Sequence, residues 1–128
     1  PYFIDWTDES LRSLACIWEE WINPASGLPE KTFAIVTTKG NPLLATIHNS
    51  PELDEPRMPV ILEGEKLLTW LNPEASKEEL LSIMQPCSDE DMKAHTVRPI
   101  RGKLAAGNTE AACKRYDYPE LNEPLTLF

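Results

Sequence analysis

Apolar positions along this chain fall into short runs separated by turn residues, with helical spacing confined to the middle. Tyr2-Phe3-Ile4 reads as a strand, ended by Asp5 and the polar stretch Thr7-Asp8-Glu9-Ser10. Leu14, Ile17, Trp18 and Trp21 stand at intervals that also suit a helix. The turn residues Asn23-Pro24-Ala25-Ser26-Gly27 and the run after them favour a hairpin, so this segment is expected to be a strand. Thr32-Phe33-Ala34-Ile35-Val36-Thr37-Thr38 is β-branched and aromatic, which predicts a largely buried strand. Gly40-Asn41-Pro42 breaks it, and Leu43-Leu44-Ala45-Thr46-Ile47 reads as a short helix. Met58–Leu62 is expected to be a second buried strand, with Gly64 at its exit.

Two helices follow. Lys66–Leu71 places Leu67, Leu68, Trp70 and Leu71 largely on one side, and Asn72-Pro73 stops it. Ser76-Lys77-Glu78-Glu79 has the form of a capping box, with Leu80, Leu81 and Met84 as the apolar face and Pro86 as the end. Ala94–Val97 reads as a short strand and Glu110–Arg115 as a helical turn. Tyr116-Asp117-Tyr118-Pro119 opens a tail that either packs its aromatics or is partly disordered. Repeats and low-complexity tracts are lacking, so the 128 residues read as one domain or part of one.

Charge narrows the function classes. The net charge of −9 argues against nucleic-acid binding at face value. Its distribution changes that picture: residues 31–51 hold Lys31, Lys39 and His48, residues 93–109 hold Lys93, His95, Arg98, Arg101 and Lys103, and neither window has an acid. These windows either form a non-acidic face on an acidic body or cluster by chance. Three cysteines without CxxC spacing, Cys16, Cys87 and Cys113, fit neither a disulfide scaffold nor a zinc site, and favour a reducing, cytoplasmic setting. No apolar run approaches a membrane span, and metal-ligand spacing and a Gly-rich phosphate loop are both missing, so neither membrane nor cofactor is expected.

Candidate chemistry gathers where the short helix delivers His48 to a loop that Arg57 closes. An ionisable imidazole and a fixed cation are then expected near each other at a strand end, a common place for function. A histidine beside an apolar run is more often structural. Arg57 is either a phosphate ligand or the partner of Glu52, Asp54 or Glu55, and Arg98 and Arg101 are either backbone contacts or a solvated face.

The order TFAIVTT, IH, RMPVIL resembles the C-terminal half of the SOS-response-associated peptidase (SRAP) domain. PYFI at the start, LACIWEEW before a glycine-containing turn, Trp70 after RMPVIL, and AHTV near the end agree in order. The resemblance implies an α+β fold, mainly antiparallel sheet with flanking helices, incomplete without an N-terminal half. Residues 1–128 then read as the C-terminal portion of one domain, split, cleaved or truncated, with the other half expected as a companion polypeptide.

In this family a cysteine after the initiator methionine captures abasic sites in single-stranded DNA as a thiazolidine crosslink. The resemblance therefore implies His48 as a catalytic residue and Thr37 as a nucleic-acid contact lining the site, while Arg57 and Arg98 are candidate nucleic-acid contacts on the chemistry of their guanidinium groups. Many members have the arginine one residue after the histidine, whereas here Asn49–Pro56 intervenes with three acids. Glu19 and Glu20 follow the PYFI strand rather than precede it, and are expected to be structural. The alternatives are a thiol peptidase or self-processing activity with His48 as base, and a degenerate, non-catalytic binding module. This half alone is expected to be inactive.

Overall fold

The computed structural model describes residues 1–48, 50, 52 and 54–121. It divides into two compact units: Ser10–Asp89, and a second made of Pro1–Glu9 with the chain from Glu90 onward. All strand pairs are antiparallel and the helices are short, an α+β arrangement.

The Ser10–Asp89 unit is organised by three strand segments that each change partner at one residue. Strands β2 (Ser13–Leu14) and β3 (Cys16–Ile22) are separated by Ala15, β4 (Pro29–Ile35) and β5 (Thr37–Lys39) by Val36, and β6 (Arg57–Pro59) and β7 (Ile61–Leu62) by Val60. β2 pairs with β7, β3 with β4, and β5 with β6. At the crossing the backbone closes a ring: Ala15 N–H donates to Val60 O, Val60 N–H to Val36 O, and Val36 N–H to Ala15 O, each at 2.9 Å. A cyclic arrangement satisfies three amides at the core that ordinary ladders would leave open at the switch. Ala15, Val60 and Leu62 form the core there, packed by Val36, Leu67, Trp70, Ile83 and Met84.

The hairpin turn lies where the sequence places it. Asn23 N–H bonds Leu28 O, Gly27 N–H bonds Asn23 O, and Gly27 takes φ 69°, a left-handed conformation that suits glycine. Register then follows from Ile22 opposite Pro29 to Cys16 opposite Ile35. Residues directly opposite share a face, so Cys16, Trp18, Ile22, Pro29, Phe33 and Ile35 line one side of the ribbon.

That side departs from expectation. The run beginning at Thr32 is not buried: Phe33 is 73% and Trp18 69% exposed, and Ile35 is exposed as well. A two-stranded ribbon buries a face only against another layer, and the described residues leave Trp18, Ile22, Phe33 and Ile35 of this one exposed. The β-branched signal thus identified a strand but not its burial.

Around the core, α1 (Pro42–Ile47), α2 (Gly64–Leu71) and α3 (Lys77–Ile83) complete the unit. α2 starts at Gly64 itself, with φ 52°, rather than after it. It turns Leu67 and Trp70 to the core and leaves Leu68 and Leu71 exposed, so the four-residue apolar face of the sequence is only half used. α3 carries the capping box in full: Ser76 Oγ accepts from Glu79 N–H at 3.2 Å, and Glu79 Oε2 accepts from Ser76 N–H at 2.8 Å. The Ser76 backbone N–H and then the Ser76 hydroxyl favour the charged form and hold the Glu79 carboxyl below its ordinary pKa. A groove of about 430 Å³ lined by Cys16, Ile17, Trp18, Trp70, Leu71 and Leu80 opens beside the ribbon.

In the other unit β1 (Tyr2–Trp6) pairs with β8 (Met92–Thr96), from Tyr2 opposite Thr96 to Trp6 opposite Met92. Val97 is buried and bridges Arg115. Tyr116 N–H bonds Thr96 O at 2.8 Å, and Tyr118 Oη–H bonds Val97 O at 2.9 Å. The tail thus packs its tyrosines edge to face, ring centres 4.9 Å apart, as far as Leu121. Residues 122–128 lie outside the described residues. No helix among the described residues is long and apolar enough to cross a membrane.

Candidate functional site

His48 is positioned by an asparagine. Asn41 is buried and caps α1: its Oδ1 accepts from Leu44 N–H at 2.9 Å, and its Nδ2 donates to Cys87 O at 3.2 Å. Pro42 follows at the first helical position, where its missing N–H costs nothing. One and a half turns later His48 is the C-cap, with its N–H on Leu44 O at 2.7 Å. Asp89 Oδ2 accepts from Leu43 N–H at 3.1 Å and fixes the same helix start. The Asn-Pro pair is a legible helix-start signal, but the partners Cys87 and Asp89 lie 46 positions away and no local pattern announces them.

The His48 ring is then held by its own site. Nδ1 lies 2.9 Å from Arg57 O. A carbonyl only accepts, so Nδ1 carries the hydrogen, and Nε2 of the neutral ring is the open lone pair. His48 is exposed, which leaves that nitrogen accessible.

Arg57 binds Thr37 with its side chain while its carbonyl holds His48. On the β5–β6 ladder Arg57 stands opposite Lys39, which makes Thr37 its diagonal neighbour on the same face. Nη2 donates to Thr37 O at 2.7 Å and to Thr37 Oγ1 at 3.1 Å, and Nε donates to Thr37 Oγ1 at 3.3 Å. Two donors fill both acceptor positions of the hydroxyl, so its own O–H is left to donate. Nη1 reaches Glu55 Oε1 at 3.4 Å. Gly40 secures the loop end: its N–H bonds Pro56 O at 2.7 Å, and a Cβ there would sit 3.3 Å from that oxygen.

Thr37, His48 and Arg57, distant in sequence, are thus one hydrogen-bonded cluster with a donor, an acceptor and a cation. Arg98 belongs to the other unit, where its guanidinium lies 4.8 Å from the centre of the Tyr116 ring. Sequence reasoning missed Asn41 as the residue that positions the site, and named Glu55 only among three candidate partners of Arg57. Glu20 pairs with Lys31 across the hairpin at 3.8 Å. Burial pushes the Cys87 thiol pKa up, which disfavours the thiolate. Among the described residues, no group of three or more His, Cys, Asp or Glu side chains is placed to hold a metal ion.

Residues 1–103 match the model of the SOS response associated peptidase (SRAP) family. The chain belongs to this family. Among SRAP relatives, the abasic site processing protein YoqW of Bacillus subtilis is 38% identical over 101 residues, which are 78% of this chain and 42% of the relative. The abasic site processing protein YoaM of the same organism is 34% identical over 101 residues, 78% of this chain and 41% of the relative. The abasic site processing protein HMCES of Gallus gallus is 27% identical over 125 residues, 96% of this chain and 32% of the relative. A crystal structure of a protein from Bacteroides thetaiotaomicron superposes with a TM-score of 0.77 at 34% identity, covering 91% of this chain and 48% of that one. The chain therefore spans less than half the length of these relatives.

Proposed function

We propose that this chain serves in the processing of abasic sites in single-stranded DNA, with Thr37, His48 and Arg57 on the DNA-facing side of an SRAP domain. One observation carries the reading. Residues named from the SRAP resemblance meet in a single exposed hydrogen-bonded cluster, in a family whose curated relatives are named abasic site processing proteins.

An abasic deoxyribose opens to an aldehyde. The nucleophile is a terminal cysteine on the N-terminal half of the SRAP domain. Its amine condenses with the aldehyde and releases water, and its thiol adds across the resulting C=N bond to close a thiazolidine. His48 Nε2 moves a proton in this sequence or holds the sugar-phosphate beside the lesion. Arg57 and Arg98 meet backbone phosphates. The exposed apolar face of the β3–β4 ribbon and the coverage of 42% of YoqW support a further half of the domain seated on that face.

Intact-mass spectrometry before and after incubation with a single-stranded oligonucleotide carrying one abasic site tests this reading. The expected result is that the polypeptide carrying the amino-terminal cysteine gains the oligonucleotide mass. Multiple turnover of a small peptide without any DNA adduct would overturn it in favour of a thiol hydrolase.

A further inference from the structure

Arg57 presents two edges of unequal availability. The edge made by Nε and Nη2 is committed to Thr37, through contacts of 2.7 to 3.3 Å. Nη1 faces outward and meets the Glu55 carboxylate at 3.4 Å, with the Arg57 and Glu55 side chains 40% and 46% exposed. Directly across the ladder stands Lys39, exposed and on the same face. Like charges opposite one another on a sheet repel, so this face is short of one anion. Glu55 supplies it, held two residues before Arg57 by the Gly40–Pro56 hydrogen bond.

A carboxylate and a phosphate offer a guanidinium the same kind of oxygen. We propose that Lys39 and Arg57 form a phosphate-binding face, and that Glu55 is its built-in competitor. Phosphate displaces Glu55 from Nη1, and the site binds phosphodiesters less tightly than its two cations alone would. The inference rests on the reading that Arg57 meets phosphate. The phosphate comes either from a nucleic-acid backbone or from free phosphate. Exposed pairs of this kind change an equilibrium by about two- to fivefold, enough to weaken undirected binding to intact backbone without closing the site. Glu52 and Asp54 share the loop and are exposed, but among the described residues Glu55 is the acid paired with Arg57.

The test uses two probes on wild type, E55Q, E52Q, K39Q, R57Q and the E55Q/R57Q double variant. One is inorganic phosphate, followed at the Arg57 Nε–H by NMR. The other is a single-stranded oligonucleotide with a tetrahydrofuran abasic analogue, followed by fluorescence anisotropy. E55Q is expected to tighten both about two- to fivefold at low salt, less as salt rises. E52Q should stay near wild type, K39Q and R57Q should bind more weakly, and E55Q should gain nothing once Arg57 is gone. An E55Q variant indistinguishable from wild type overturns the proposal, as does an equal gain in E52Q. Phosphate gain in E55Q with no oligonucleotide binding by any variant upholds the competitor and sinks the nucleic-acid reading instead.

Discussion

His48 and His95 each hydrogen-bond one backbone carbonyl, yet through opposite nitrogens and in opposite surroundings. His48 uses Nδ1 on Arg57 O and leaves Nε2 outward, at an exposed helix end beside a cation. His95 uses Nε2 on Cys113 O at 2.9 Å, half-buried in β8 with the Phe3 ring 5.5 Å away across the ladder. The carbonyl partner fixes the tautomer in both cases. What separates them is where the remaining nitrogen lies. One ring is fastened so that a lone pair serves whatever arrives. The other fastens a tail to a strand. A histidine in a hydrogen bond is therefore not yet a functional histidine.

Replacing each ring by alanine is the strongest way to break this contrast. H48A is expected to lower adduct formation with an abasic oligonucleotide, assayed with the N-terminal half of the domain present, by about 100-fold or more. Its stability should stay within about 1 kcal/mol of wild type, because only one exposed hydrogen bond is lost. H95A should do the reverse, retaining adduct formation while losing about 1–2 kcal/mol in urea unfolding. If H95A and H48A impair chemistry equally, the assignment of His48 as the functional ring fails. Long-range ¹H–¹⁵N spectra sharpen the point without mutation: at neutral pH His48 should show a protonated Nδ1 and His95 a protonated Nε2.

Next in size is the support beneath His48. N41A removes the helix cap and leaves Cys87 O without its donor. Together these cost about 1–3 kcal/mol, and α1 should lose amide protection ahead of the rest of its unit. The matching change under His95 is Y118F, which removes the hydroxyl bonded to Val97 O. That loss is about 1 kcal/mol, and it should leave protection of α1 untouched. Loss of protection in α1 from Y118F would show that the two neighbourhoods are not independent.

The two sites also differ in how far sequence discloses them. Ser76 with Glu79 and the Asn23–Gly27 turn carry local chemistry, and each produced the element it announced, whereas Gly40-Asn41-Pro42 reads as a strand break and also starts α1. His48 and Arg57 are singled out by the loop that brings an imidazole and a cation together, and Thr37 only through an ordered set of words. The partner changes at Ala15, Val36 and Val60 were not legible. None of the three is Gly or Pro, and each bend exists because two other strands meet it. Burial of Phe33 was misread for a related reason: an apolar ribbon face says that something must cover it, not that this chain does. Glu55 was ambiguous because Glu52, Asp54 and Glu55 are equivalent until the Gly40 contact sets the register of the loop end.

The smallest expected effect distinguishes the units by acid. Glu79 caps α3 in the unit that holds His48, and its folded pKa lies below the ordinary value because two Ser76 donors favour the charged form. The unfolded chain binds that proton more readily. Its contribution is thus fully present above the ordinary carboxylate pKa and is lost as pH falls through the depressed folded value. Hydrogen exchange on acidification should show α3 losing protection in that window, while β1 and β8, which have no such cap, hold theirs. E79Q should flatten the pH dependence of α3, since a neutral amide still accepts from Ser76 N–H but does not titrate. If α3 responds to acid equally in wild type and E79Q, another carboxylate governs it, and the capping box is a geometric feature without a pH signature.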